Sequence, residues 1–220
     1  YVCLVLFGMY RHLFDLVLGV SEQQPDFLSA NLWSPVVDCA QAVKVQVWID
    51  FSSPEGLQSL LPVAEKNKSA VVSGSTGLTE AHFEQIQIAA KKIPVLWASN
   101  MSLGVALLSK ALEVFAQFHD FDFQIEEIHH NKKKDIPSGT ALSLQKKLEE
   151  VIGQKTPLPL GLRGGGVFGV HRVFAFAEEE YLNFEHHALN RAVFAKGAIK
   201  AAEWLYKKAP GLYEIKEVLN

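Results

Sequence analysis

A parallel, doubly wound α/β domain followed by an open α+β domain is the fold that this 220-residue sequence predicts. Three observations predict it. Short apolar runs alternate with amphipathic stretches over the first hundred residues, the pattern of a parallel sheet with crossover helices. From Leu103 the texture changes to a long helical stripe, one strand, a second helix and two strands joined by an acidic turn. A last helical stretch, Ala192 to Lys207, is long enough to return to the first domain.

Val2 to Phe7 and Asp15 to Val20 are apolar runs that read as strands. Val45 to Phe51 is the next, and Ser52-Ser53-Pro54-Glu55 then starts a helix. Ser53 can cap the free N–H groups, Pro54 suits the first helical position, and Glu55 favours the positive end of the dipole. Leu57, Leu60, Leu61 and Ala64 give its apolar stripe, which Pro62 should kink or delay. Ala70 to Ser73 is a short strand, followed by Gly74-Ser75-Thr76-Gly77 and a helix from about Glu80 to Lys92, capped by Thr79. Val95 to Ala98 is the next strand. Ligands of such sheets sit beyond the carboxyl ends of the strands, where Gly8, Glu22, Phe51, Ser52, Gly74 to Gly77 and Ala98 to Met101 fall.

In the second half, Leu103 to Phe118 is helical, with Leu107, Ala111, Val114, Phe115 and Phe118 expected on its inner side. Phe123 to Ile128 is a strand leading into His129. Thr140 to Ile152 is helical, with Ala141, Leu144, Leu148 and Ile152 inward. His171 to Ala177 and Tyr181 to His187 form a hairpin-like pair.

Composition narrows the function. A 49% hydrophobic and 20% charged chain can bury a core, and a net charge of −3 argues against a nucleic-acid partner. Cys3 and Cys39 offer no disulfide framework, which fits a reduced cytoplasmic setting. The run Tyr1 to Phe7 falls short of the roughly 20 apolar residues that a membrane span needs and lacks the marks of a signal peptide. A buried strand is expected there, and no membrane partner.

The stretch Glu126 to Ala141 carries the chemistry. It holds His129, His130, Lys132, Lys133, Lys134, Asp135, Ser138 and Thr140. Singly, each has an ordinary explanation: a solvated histidine pair, a wet lysine loop, a helix cap. Together they describe a proton donor beside an anion site. Pro137-Ser138-Gly139-Thr140 can present backbone N–H groups and hydroxyls to a carboxylate at a helix start. Histidine, with an unperturbed pKa of ~6.5, donates protons near neutrality. Lys133, four residues on, can neutralise a carboxylate or supply a proton, and Asp135 can orient these groups. No companion ligands stand at zinc spacing, so no metal is expected.

His129-His130-x-x-Lys133-x-Asp135-x-Pro137-Ser138-Gly139-Thr140-Ala141 resembles the signature of the 4-hydroxy-tetrahydrodipicolinate (dihydrodipicolinate) reductases of lysine and diaminopimelate biosynthesis. Ile49 to Glu55, Gly74 to Leu78, Ala98 to Val105, Phe168 to His171 and His186 to Ala198 resemble further family segments, so the likeness runs from about Trp48 to Leu219. It implies a Rossmann-type dinucleotide-binding domain over 1–102 plus 192–220. It implies a substrate-binding and tetramerisation domain with an open mixed sheet over 103–191.

The resemblance also implies roles. His129 would be the proton donor or acceptor, and Lys133 a second proton donor. His130, Ser138, Gly139 and Thr140 would hold the small dicarboxylate substrate, with Lys132 nearby. Gly8, Glu22, Phe51, Ser52, Gly74, Ser75, Thr76, Ala98, Ser99, Asn100 and Met101 would meet NADH or NADPH. Hydride would pass to the ring's conjugated C=C–C=N system, and a proton would quench the enamine. A homotetramer would be the working form.

One segment departs from the family pattern. Of its Gly-rich turn only Gly8 remains, and Gly8 to Glu22 is too short for a strand-helix-strand unit, which takes roughly 30 residues. Either half of the phosphate site is lost, or the sequence omits a loop; the sound strand patterns on both sides favour omission. Asn31 to Ala42 is also shorter than the usual connection. Glu22 stands where an acidic residue would meet the ribose 2′-OH, which favours NADH. Two other readings remain: a ligand-binding or regulatory homologue with an impaired cofactor half, and a reductase of another anionic substrate, such as an amino-acid dehydrogenase.

Overall fold

Four-residue strands rich in Val, Ile, Leu and Trp form the first sheet, because β-branched and aromatic side chains pack well on a pleated surface. They are β3 (Val47–Asp50), β4 (Ala70–Ser73) and β5 (Pro94–Trp97), with β10 (Gly211–Tyr213) beside β5. The structure is a computed structural model that describes residues 45–118 and 120–220, with the backbone of β1 (Gly19–Val20) and β2 (Trp33–Ser34). Gly8, Glu22, Cys3, Cys39, the connection 31–42 and the first predicted strand lie outside the described residues. β1 falls within the second predicted run and pairs in parallel with β2.

The chain divides into two compact units. One comprises residues up to Met101 with Phe194–Val218 and Asn220; the other comprises Ser102–Val193 with Leu219. In the first, the strand order is β10-β5-β4-β3, all parallel, with Val47 opposite Ala70 and Val71 opposite Val95. Both faces are covered, as a parallel sheet requires. Trp48, Val71 and Val95 point to helices α1 (Pro54–Asn67) and α2 (Glu80–Ala90), meeting Leu57, Leu61, Ile86 and Ala89. Ala70, Val72 and Leu96 point the other way, onto Ala198, Ala201 and Leu205 of α5 (Ala192–Leu205). Helix α1 starts as its sequence dictates: Gly56 N donates to Ser53 Oγ at 3.2 Å. It runs through Pro62 and stops at Lys68, whose φ of 55° is left-handed.

The second unit is a mixed sheet in the order β7-β6-β8-β9. Strand β6 (Asp122–His129) runs parallel to β7 (Leu160–Arg163) and antiparallel to β8 (Gly169–Phe176), which pairs with β9 (Tyr181–Ala188). One face is covered by α3 (Leu103–Ala111), the 3₁₀ segment Leu112–Gln117 and α4 (Gly139–Ile152). Leu108, Leu112, Phe115, Ala141, Leu144 and Leu148 pack there on Phe123, Ile125, Val173 and Ala175.

The inner face of the predicted helix 103–118 differs from expectation. Leu107, Val114 and Phe118 are exposed, while Val105, Leu108, Leu112 and Phe115 are buried. The segment is apolar nearly all round, so two stripes compete, and tightening to 3₁₀ at Leu112 changes the phase that a pure 3.6-residue period assumes.

Candidate active site

On the covered face of the second sheet, the side chains change character along each strand. Because alternate residues share a face, Phe123 and Ile125 lead to Glu127 and His129 on β6. On β8, Ala175 and Val173 lead back to His171, and on β9 Phe184 leads to His186. Cross-strand register sets Glu127 beside Gly161 and His171, His171 beside His186, and His129 beside Arg163. The apolar half supports the helix bodies. The polar half lies where α3 and α4 begin, and their N-cap hydroxyls meet it: Ser138 Oγ is 3.4 Å from His171 Nε2, and Ser102 Oγ is 3.2 Å from His186 Nε2.

Glu127 is fully buried, and His129 and His171 nearly so. His129 Nδ1 lies 2.5 Å from Glu127 Oε2. Arg163 donates to both oxygens of Glu127, at 2.8 and 2.7 Å, and to the carbonyls of Lys133 at 3.3 Å and Asp135 at 2.5 Å. The backbone N–H of Ser138 donates to Glu127 Oε1 at 3.1 Å. Lys133 Nζ lies 2.9 Å from Asp135 Oδ1. Helix α4 starts at Gly139, after Ser138 Oγ has accepted from Ala141 N at 3.2 Å.

Burial would raise the Glu127 pKa, but the hydrogen bonds from Arg163 and His129 outweigh it and hold the carboxyl below its usual value. Burial dominates for His129: its pKa lies below 6.5, with Glu127 pulling upward and Lys133 and Arg163 pulling downward. His171 is pushed down to about 3 by burial, then by His129 and His186. It is therefore a neutral ring at physiological pH.

The structure thus brings His129, Lys133, Ser138 and the α4 start together around Glu127. Gly139 is exposed, with open space where a Cβ would sit, and Thr140 follows it in the first turn. Among the described residues, His130 Nδ1 is buried without a hydrogen-bond partner. A buried polar atom of this kind is explained by a water or a ligand. Lys132 and Lys134 are exposed.

Sequence reasoning gave no role to Arg163 or Glu127. Glu127 carried a usable signal: on a strand, the residue two before His129 shares its face. Arg163 carried none: the leucines that alternate along its strand, Leu160 and Leu162, are the exposed residues, so the apolar pattern marks the wrong face.

In the first unit, Asp50 at the end of β3 organises the candidate cofactor loops. Its Oδ1 accepts from Ser52 N at 3.0 Å and Ser52 Oγ at 2.5 Å; its Oδ2 accepts from Ser73 Oγ at 2.6 Å and Ser75 Oγ at 2.8 Å. Gly74 N donates to the Asp50 carbonyl at 2.8 Å, and Ala98 N to the Ser73 carbonyl at 3.1 Å. Phe51 packs against Gly74 so closely that a Cβ there would lie 2.5 Å from the ring. Ser75, Ala98 and Met101 are buried, while Ser52, Thr76 and Ser99 are exposed and Asn100 is half-buried.

These loops all lie at the carboxyl ends of parallel strands, and their serines and backbone groups suit a polar dinucleotide rather than a metal. Among the described residues no group of three or more His, Cys, Asp or Glu could hold a metal ion, and no helix is long and apolar enough to cross a membrane.

The family description "Dihydrodipicolinate reductase, N-terminus" matches residues 22–101, and "Dihydrodipicolinate reductase, C-terminus" matches residues 104–219. A 4-hydroxy-tetrahydrodipicolinate reductase from Bdellovibrio bacteriovorus is 52% identical over 216 residues, covering 97% of this chain and 94% of that one. The enzyme of the same name from Campylobacter lari is 42% identical over 197 residues, covering 80% and 81%. Among solved structures, a dipicolinate-bound dihydrodipicolinate reductase from Paenisporosarcina superposes with a TM-score of 0.71 at 22% identity. It covers 86% of this chain and 80% of that one, and shows the shared fold. With both family halves matched in order and a relative 52% identical aligned nearly end to end, the chain belongs to the dihydrodipicolinate reductase family.

Proposed function

We propose that the protein reduces the dihydrodipicolinate formed from 4-hydroxy-tetrahydrodipicolinate to tetrahydrodipicolinate, in lysine and diaminopimelate synthesis in the cytoplasm. The observation that carries this reading is the arrangement around Glu127: a buried histidine and an open helix start are bonded to its carboxylate, and Arg163 links the lysine loop to the same group. Family membership and the enzymes named above support it.

The two compact units divide the work, as a dinucleotide-binding domain of 1–102 plus 192–220 and a substrate domain of 103–191. A reduced nicotinamide supplies the hydride when bound, and Phe51, Ser52, Gly74 to Thr76 and Ala98 to Met101 would hold it, with Gly8 and Glu22. The serine cluster on Asp50 keeps the described loops in place. Gly139, Thr140 and Ser138 accept one substrate carboxylate at the positive end of α4. His130, whose Nδ1 lacks a described partner, and Lys133 face the negative charge that remains. His129 gives its proton from Nε2 to the reduced ring, with Lys133 as second donor. A buried donor with a lowered pKa gives up its proton readily in the transition state.

The working form is a homotetramer built on the open face of the second sheet. Leu160, Leu162, Phe176 and Tyr181 are exposed there, Phe174 and Phe176 stack at 5.6 Å, and Arg172 ties Glu126 to Glu185. An exposed apolar patch rimmed by paired charges fits a subunit contact.

The test is consumption of NADH and of NADPH with enzymatically generated 4-hydroxy-tetrahydrodipicolinate. Turnover with either supports the reading, and a higher kcat/KM for NADH supports the Glu22 contact. Binding of neither dinucleotide by calorimetry would favour the ligand-binding homologue instead.

A further inference from the structure

We infer that Glu127 is a positioning residue for the proton transfer: it fixes His129 in the tautomer that leaves Nε2 to exchange the proton, and through Arg163 and Ser138 it sets the lysine loop and the anion-binding helix start in the same register. This inference rests on the proposed role of His129 and extends it to a residue that touches no substrate.

An ionised carboxylate only accepts hydrogen bonds, so the contact at 2.5 Å places a proton on His129 Nδ1. The second ring nitrogen is then the one that gains and loses a proton, the logic by which a second-row carboxylate fixes a metal-bound or catalytic imidazole. Nε2 is left uncovered on one flank: a Cβ at Gly169 would lie 3.1 Å from it, and glycine puts nothing there. A protonated Glu127 would donate instead and reverse the tautomer. The paired N–H groups of Arg163 prevent this, since both Glu127 oxygens accept from the guanidinium.

That guanidinium does a second job. Its remaining donors hold the carbonyls of Lys133 and Asp135, which fixes the backbone from which Lys133 projects. The Ser138 N–H on Glu127 Oε1 fixes the residue that caps α4. Strand β7 must come close for this: a Cβ at Gly161 would lie 2.9 Å from Glu127 Oε1. The charged and titratable groups around His129 are Glu127 on its own strand, Arg163 on β7, Lys133 with Asp135 in the loop, and His171 on β8 backed by His186 on β9. Among the described residues, only Glu127 favours the protonated imidazole by direct contact.

The first test is nitrogen NMR of ¹⁵N-histidine protein, with His129 assigned from the missing signals of His129→Gln. Neutral His129 carrying its proton on Nδ1 supports the inference; neutral His129 carrying it on Nε2 instead overturns it. The second is Glu127→Gln. Both amide atoms cannot satisfy Arg163 and His129 at once, so turnover should fall about a hundredfold or more, with dinucleotide affinity unchanged. The pH limb that reports the protonated donor should move down by one unit or more. An unchanged limb and unchanged turnover overturn the inference. His129→Gln with unimpaired turnover would instead remove the underlying role of His129. If Glu127→Gln does not fold, the tautomer of the unmodified protein decides.

Discussion

His171 should make the second unit acid-sensitive, and the size of the effect can be worked out. The ring is 3% exposed and its pKa is about 3, against 6.5 for an ordinary histidine. Between these values the unfolded chain binds a proton that the folded chain refuses. Stability therefore falls as pH falls from about 6.5 toward 3, by about 1.4 kcal/mol per unit at full slope. Going from about pH 7 to about pH 5 should cost about 2 kcal/mol through this group alone. His129 and His186, also below their usual value, add in the same direction. Glu127, a carboxyl held below its usual value, loses its contribution only in more acid solution.

The assay is urea unfolding of the wild type and of His171→Gln at both pH values. Circular dichroism is the probe, because all four tryptophans (Trp33, Trp48, Trp97, Trp204) belong to the other unit. Hydrogen exchange of β8 amides then localises the loss. The variant should lose about 2 kcal/mol less than the wild type between the two pH values. Equal losses in both would refute a neutral, proton-refusing His171.

Asp50→Asn replaces an acceptor of four hydrogen bonds, so it should weaken dinucleotide binding about tenfold or more without changing the His129 tautomer; calorimetry checks this. Gly169→Ala sets a methyl group 3.1 Å from His129 Nε2 and should lower kcat while leaving the dinucleotide Kd unchanged in stopped-flow fluorescence. Phe176→Glu, in the exposed aromatic cluster with Phe174 and Tyr181, should split the proposed tetramer, as read by analytical ultracentrifugation.

What the sequence revealed follows from periodicity and local chemistry. Val71 and Val72 point to opposite faces of β4, and each face found its own helices, so alternating apolar runs were enough to read the parallel sheet. Ser53, Ser102 and Ser138 cap helices through hydrogen bonds within three residues, so those starts were legible as well. Strands β7 and β10 were not seen: Leu160-Gly161-Leu162-Arg163 and Gly211-Leu212-Tyr213 are too short, and each owes its place to a neighbouring strand. The missed half of the site has the same origin. His129, Lys133 and Ser138 stand close in sequence, whereas Arg163 and His171 reach Glu127 and His129 only through strand register. The exposed Leu107, Val114 and Phe118 show the converse error, a stripe that periodicity selected and packing did not.

The proposed reaction is reduction of a dicarboxylate ring with a proton delivered by His129. Steady-state turnover of enzymatically generated 4-hydroxy-tetrahydrodipicolinate by wild type and His129→Gln, with dinucleotide affinity measured in parallel, tests it most directly. The wild type should turn over, kcat should drop by about 10² to 10⁴ in the variant, and dinucleotide affinity should be equal in the two. Turnover undiminished in His129→Gln, or absent from the wild type, would contradict it.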